Sequence, residues 1–206
     1  MRLLQSILPT LRHPQKPQPQ FLAHLLGLLL MLPGHATFRN LSRYSAYHER
    51  TLARWDPRDF DCVALNKAAI IRVISPTHQQ ALVIDASFVP KSGKKTYGLD
   101  RFWNGSHSRT ENGLEISALA WLDLTDHCAY CLSVEQTPSA GEAREPETTR
   151  IAVSLEHLTR VGSEQQLSHL RSVITDGYDS KQQCLGGVRA LGLEQIGTLR
   201  LDANRR

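Results

Sequence analysis

The sequence predicts a mixed α/β protein: a small helical region, then a sheet of antiparallel and parallel strands flanked by helices. Three observations carry that expectation. Before residue 75, apolar residues recur at helical spacing and are interrupted at Pro33-Gly34. After Ser75-Pro76, the pattern reads β-β-β-α-β-α-β, a meander followed by helical crossovers. Two runs in that region, "ALVIDAS" at 81–87 and "SVITDGYDS" at 172–180, place Asp85 and Asp176 directly behind apolar, mostly β-branched residues. Such runs suit central strands buried on both faces.

Taken in order, residues 1–11 fit a short amphipathic helix. "HPQKPQPQ" at 13–20 reads as an extended linker, since alternating prolines remove donors and oppose helix. Residues 1–20 are therefore expected as tail and linker. "FLAHLLGLLLML" at 21–32 is helical but 12 residues long, whereas a spanning helix needs about 20. The prolines before it and the lack of an A-x-A site also spoil a signal peptide. A buried core helix is expected instead. Two short helical patterns in 37–55 and one in 60–74 complete a helical domain over 21–75. In the domain over 76–206, strands are expected at 81–86, 113–123 and 128–136. A helix is expected near 147–166, a strand at 171–175, a helix at 179–191 and a strand at 194–200.

Composition narrows the class. With 206 residues, 41% hydrophobic and 21% charged, the chain can form a sizeable core. A net charge of +4 tilts it mildly toward polyanionic partners. Basic residues cluster at 39–58 and again at Lys91, Lys94, Lys95 and Arg101. The 4 cysteines form no secreted disulfide pattern. The CxxC of "HCAYC" at 127–131 lacks the further ligands zinc needs, and on a strand its thiols face opposite ways. These are read as apolar cysteines of a reducing cytoplasm. No membrane partner is expected.

"LSRYSAYHERTLARW" at 41–55 has the layout of a helix-turn-helix. Leu41, Tyr44 and Ser45 are expected to face inward, Ala46 to sit at the turn, Tyr47 to plug the core, and Leu52 and Trp55 to lie inside. The outward face then shows His48, Arg50, Ala53 and Arg54, with Arg43 nearby. Arginines there suit phosphates and guanine edges. A plain helical hairpin with a solvated charged face fits the same spacing.

Two carboxylates behind buried strands suit a divalent-metal phosphoryl-transfer site if the strands are parallel neighbours, because Mg²⁺ takes oxygen ligands and offsets their repulsion. Either acid also fits a cap or turn role. Lys91, Lys94 and Lys95 lie around Gly93 in a loop suited to backbone phosphates, or to plain solvation. Trp103 and Asn104 suit contact with an unpaired base; a core tryptophan fits equally.

The run "DASFVPKSGKKTYGLDRFWNG", then "GLEIS", "TDGYDSK" and "GTLRLDAN", resembles the DDE transposases of bacterial insertion sequences, from about residue 37 to the C-terminus. The resemblance implies a ribonuclease-H-like fold and DNA cleavage and joining that depend on Mg²⁺ or Mn²⁺, with two ions in the intact family site. It also implies double-stranded transposon ends as partner and a DNA-associated place in the bacterial cytoplasm. Asp85 takes the position of the first catalytic, metal-binding acid and Asp176 that of the second. The third, a glutamate, lies in this family beyond the strand that here reads "QIGTLRL". No glutamate follows Glu194, so an incomplete sheet, truncation before the third acid and loss of strand transfer are expected.

Three functions are carried forward. The first is a transposase or its truncated remnant, and the second a non-catalytic DNA-binding protein derived from one. The third is another ribonuclease-H-fold metal nuclease, with Glu115 completing the site and Asp100 and Asp179 as further substitutes. Homo-oligomers are left open.

Overall fold

The structure, a computed structural model, describes residues 2–11, 18–55, 59–93, 96–139, 150–167, 169–176 and 182–198. The chain divides into two units, Met1–Arg72 and Val73–Arg206.

The first unit contains α1 (Arg2–Ile7), a 3-10 turn (Leu8–Thr10), α2 (Gln18–Met31), α3 (Phe38–Arg43), α4 (Glu49–Trp55) and α5 (Cys62–Ile70). Its first residues are not a tail: Ile7 and Leu8 are buried against Leu65 of α5. Helix α2 starts at Gln18, inside the stretch read as linker, with Pro19 in its first turn. A missing N–H is harmless there. Helix α2 packs on two sides: Phe21, Leu25 and Leu28 join one core cluster, and Leu22, Ala23 and Leu26 pack on the one around Ile7, Leu8 and Leu65. Phe21 and Leu28 are buried, whereas Leu30 is 85% exposed. No described helix is long and apolar enough to cross a membrane.

Phe21, Leu28, Leu41 and Leu52 form the core between α2, α3 and α4, with Tyr47 and Trp55 packed against it. Phe21 stacks on Trp55 at 4.9 Å and meets Tyr47 edge-on at 5.4 Å between ring centroids. In the turn, Ser45 Oγ accepts from the Tyr47 N–H at 2.9 Å and lies 2.8 Å from His24 Nε2. Tyr44 differs from expectation: α3 ends at Arg43, so Tyr44 leaves the inward stripe and is 56% exposed.

The second unit runs β1 (Gln80–Pro90), β2 (Asp100–Asn104), β3 (Arg109–Asp123), β4 (Cys128–Gln136), α6 (Arg150–Glu164), β5 (Ser172–Thr175), α7 (Gln182–Ala190) and β6 (Glu194–Gly197). The sheet order is β2-β3-β1-β5-β6, with β4 also pairing β3. Strands β1 and β3 are antiparallel, whereas β1 with β5 and β5 with β6 are parallel. Parallel neighbours need crossovers, and α6 and α7 supply them. This is the mixed sheet of the expected ribonuclease-H-like fold. The short strand β2 was not anticipated.

The two sheet faces are unequal. In β3 the odd-numbered residues from Gly113 to Asp123 are buried, while the even-numbered ones between them are half-buried. Helix α6 covers the odd face: its buried His157 lies 3.0 Å from Ser117 Oγ and 2.9 Å from Ser133 Oγ.

Candidate active site

Strand β1 buries Ala81, Leu82 and Ile84, and its alternation then brings Asp85 out to solvent. The Asp85 Oδ1 accepts from the Ala86 N–H at 2.9 Å. Strand β5 lies parallel beside it, with Leu82 opposite Val173 and Val83 opposite Ile174. Two further steps in this register bring Asp85 level with Asp176, the residue after β5. Level partners on parallel strands share a face and stand about 4.8 Å apart along the hydrogen-bonding direction. Both acids are exposed. Carboxylates are hard oxygen donors, a type that suits Mg²⁺ or Mn²⁺.

Strand β6 braces the end of β5. Thr175 is buried, its Oγ1 accepts from Gln195 Nε2 at 2.7 Å, and Gly197 is its register partner.

Glu115 does not join this pair. It stands opposite Phe88 and Asp85 stands opposite Ala118, an odd offset that puts the two acids on opposite faces. Glu115 is 5% exposed, accepts from Thr137 Oγ1 at 3.1 Å and lies 4.0 Å from Arg150 Nε. Asp100 pairs with Gly113 and also belongs to the covered face. Asp179 lies outside the described residues. Glu194 shares the face of Asp176, because it pairs with Ser172. It is four positions back, roughly 13 Å at ~3.3 Å per residue. Among the described residues, no third strand carboxylate stands beside Asp85 and Asp176.

A family model described as DDE superfamily endonuclease matches residues 8–205. The chain belongs to this family. No curated protein matches the chain. DDE endonucleases are proteins of nuclease and transposase type that typically use a divalent metal, and they act on nucleic acid.

The DDE sheet holds a second polar cluster at its other end. The ligand atoms of His78, Asp123 and Asp126 lie within 4.8 Å of one another. His78 Nδ1 is 2.7 Å from Asp123 Oδ2, and Asp123 Oδ1 accepts from the N–H groups of Thr125 and Asp126 at 3.0 and 3.1 Å. The hydrogen bond to Asp123 raises the His78 pKa. Burial pushes the Asp123 carboxyl up, but hydrogen bonds from His78 and the backbone outweigh it and hold the group below its ordinary value. Asp123 pairs with Gln80, five positions from Asp85 and on the opposite face. That separation is about 17 Å at ~3.4 Å per residue. The cluster braces the β3–β4 turn and is remote from Asp85.

Sequence reasoning passed over His78 and His157. Ile151, Ser154, His157, Leu158 and Val161 are the buried residues of α6, so helical spacing already put His157 on the core face. The expected basic residues are exposed in their own units: Arg43, His48, Arg50 and Arg54 in the first and Lys91 in the second. Lys94 and Lys95 lie outside the described residues. Cys128 and Cys131 pair with Asp123 and Ala120, hence on opposite faces, but both are exposed. The apolar reading fits Cys184, which is buried.

Proposed function

We propose that this chain is a transposase-type endonuclease that cleaves DNA at a divalent-metal site built on Asp85 and Asp176. The β1–β5 register supports this reading: continued two steps past Val83 and Ile174, it sets Asp85 level with Asp176. When bound, Mg²⁺ or Mn²⁺ supplies charge neutralisation at the scissile phosphate and lowers the pKa of water. The protein's part is to hold one oxygen donor on β1 and one directly after β5, each next to buried strand residues. Exposed Lys91, one residue past β1, offers a point charge to the phosphate backbone. In the helical unit, exposed Arg50 and Arg54, with Arg43 and His48, offer a grip on double-stranded DNA. The motif run from Asp85 onward supports insertion-sequence ends as the DNA.

The test incubates the full chain with Mg²⁺ or Mn²⁺ and labelled duplex DNA, beside Asp85→Asn and Asp176→Asn. Cleavage is expected in the parent and a loss of about a hundredfold or more in each variant. Cleavage that survives both substitutions would remove the pair from the chemistry.

A second reading, a DNA-binding protein without chemistry, is favoured by one observation: no third carboxylate stands beside the pair among the described strand residues. Duplex binding with no cleavage by the parent would establish it.

A further inference from the structure

Beyond Asp85 the sheet continues as an arm made of the far ends of β1 and β3 with β2, and the arm sorts its charges by face. Asp100, Phe102 and Asn104 pair with Gly113, Glu111 and Arg109, which places all of them on the face of Phe88 and Glu115. Every acidic strand residue of the arm is therefore on that face. The Glu111 carboxylate is paired where it stands. Asn104 Nδ2 donates to it at 2.7 Å, Arg109 Nε at 2.6 Å, and His107 Nδ1 lies 3.0 Å away. These contacts, Asn104 first, hold its carboxyl down to about 2.

The other face is the one that carries Asp85. Ser87, Val89, Arg101, Trp103, Thr110 and Asn112 occupy it, all exposed and none acidic. Trp103 is 53% exposed. Arg101 Nη2 donates to Thr110 Oγ1 at 3.2 Å, which fixes the guanidinium on the residue directly opposite Trp103. A cation and an open indole thus stand together on a face of the arm that has no acidic strand residue among the described residues.

We infer that this face holds an unpaired stretch of the DNA strand whose phosphate reaches Asp85 and Asp176, with one base stacked on Trp103 and one phosphate on Arg101. The inference rests on the DNA-cleaving reading above. Thr110 lies eight positions along β3 from Ala118, the partner of Asp85. At ~3.4 Å per residue that is roughly 27 Å, and at ~3.4 Å per stacked nucleotide it accommodates about eight nucleotides. Unpaired DNA fits better than duplex because a lone aromatic reaches a π-face only where bases are not already stacked on each other.

The test uses the full chain in EDTA, with anisotropy of a labelled oligothymidylate of about 20 nucleotides and of a duplex of equal length. Trp103→Ala should weaken single-strand binding about tenfold, and Trp103→Phe should stay within about threefold of the parent, because a phenyl ring still stacks. Arg101→Ala should lower the single-strand salt slope by about 0.7. Duplex affinity should change less than about twofold in Trp103→Ala. Parental single-strand affinity in Trp103→Ala, equal losses in the Phe and Ala variants, or a parallel loss for duplex would overturn the inference. Binding is read without metal, so the two readings fail separately. A chain that cleaves DNA but ignores Trp103 sinks only this inference; one that binds through Trp103 but cleaves nothing sinks only the cleavage reading.

Discussion

Gly197 packs so closely on Thr175 that a Cβ at Gly197 would meet the Thr175 carbonyl oxygen at 2.7 Å. The obstacle is backbone, so Gly197→Ala must push β6 away from β5, whose end carries Asp176. Overpacking of this kind costs about 1–3 kcal/mol. Gly186→Ala is the control, since its Cβ would meet nothing within 4 Å. Urea unfolding and Mn²⁺ titration should show Gly197→Ala less stable and weaker for the ion, with Gly186→Ala unchanged for the ion and at least as stable as the parent, since Gly186 lies inside α7. Equal behaviour of the two variants would mean that the strand end adapts freely.

His157 should make the second unit acid-sensitive. Burial pushes its pKa down; the Glu135 carboxylate works against that, and Arg160 adds to it. The folded form therefore binds its proton less readily than the unfolded chain. Its contribution is present above the ordinary value of about 6.5 and is lost as pH falls through the lower folded value. His157→Gln, which keeps polar atoms near Ser117 and Ser133, should flatten stability between pH 7 and 5, as followed by urea midpoints. An unchanged acid slope would assign the effect elsewhere.

His78 has the opposite sign. Its pKa is raised, so the brace on Asp123 is fully present below about 6.5 and is lost as pH rises through the higher folded value. Hydrogen exchange at Thr125 and Asp126, whose N–H groups bond to Asp123, should speed up on the alkaline side beyond its intrinsic pH dependence. His78→Gln should abolish that excess. An excess that persists in the variant would clear His78 of the effect.

In the helical unit, Arg50→Ala and Arg54→Ala should each weaken duplex DNA binding and lower the salt slope by about 1, if each arginine covers one phosphate. Unchanged affinity and slope in both would leave α3 and α4 as a plain helical hairpin.

The elements that sequence revealed best are those whose reason is local. Residues 128–136 were expected as a strand and form β4, and the apolar runs before Asp85 and Asp176 marked two buried strands. What failed to show depends on pairing. "DRFWN" is short and polar at both ends; it becomes β2 because β3 extends past β4 and offers it an edge. Residues 87–90 carry no strand signal of their own, yet pairing with 113–116 extends β1 to Pro90. Glu115 looked close to Asp85 by strand adjacency. Its face is fixed by register parity, which no single strand contains. Tyr44 was misplaced for a similar reason, since one residue in the length of α3 decides whether it turns inward.

Asp85 and Asp176 are 91 positions apart in the chain, and their meeting has a consequence for biogenesis. The β1–β3–β4 meander contains only near-sequence pairings and can close while the ribosome is still making the rest. Strand β5 docks on β1 only after α6 has been synthesised and has crossed the sheet. On the proposed reading, a nascent chain thus carries Asp85 without Asp176 until α6 and β5 are made, and ion-holding capacity comes only when β5 docks. In refolding experiments, Mn²⁺ affinity should appear with the slowest phase, after the meander has gained its hydrogen-exchange protection; simultaneous appearance would mean that β5 docks with the meander.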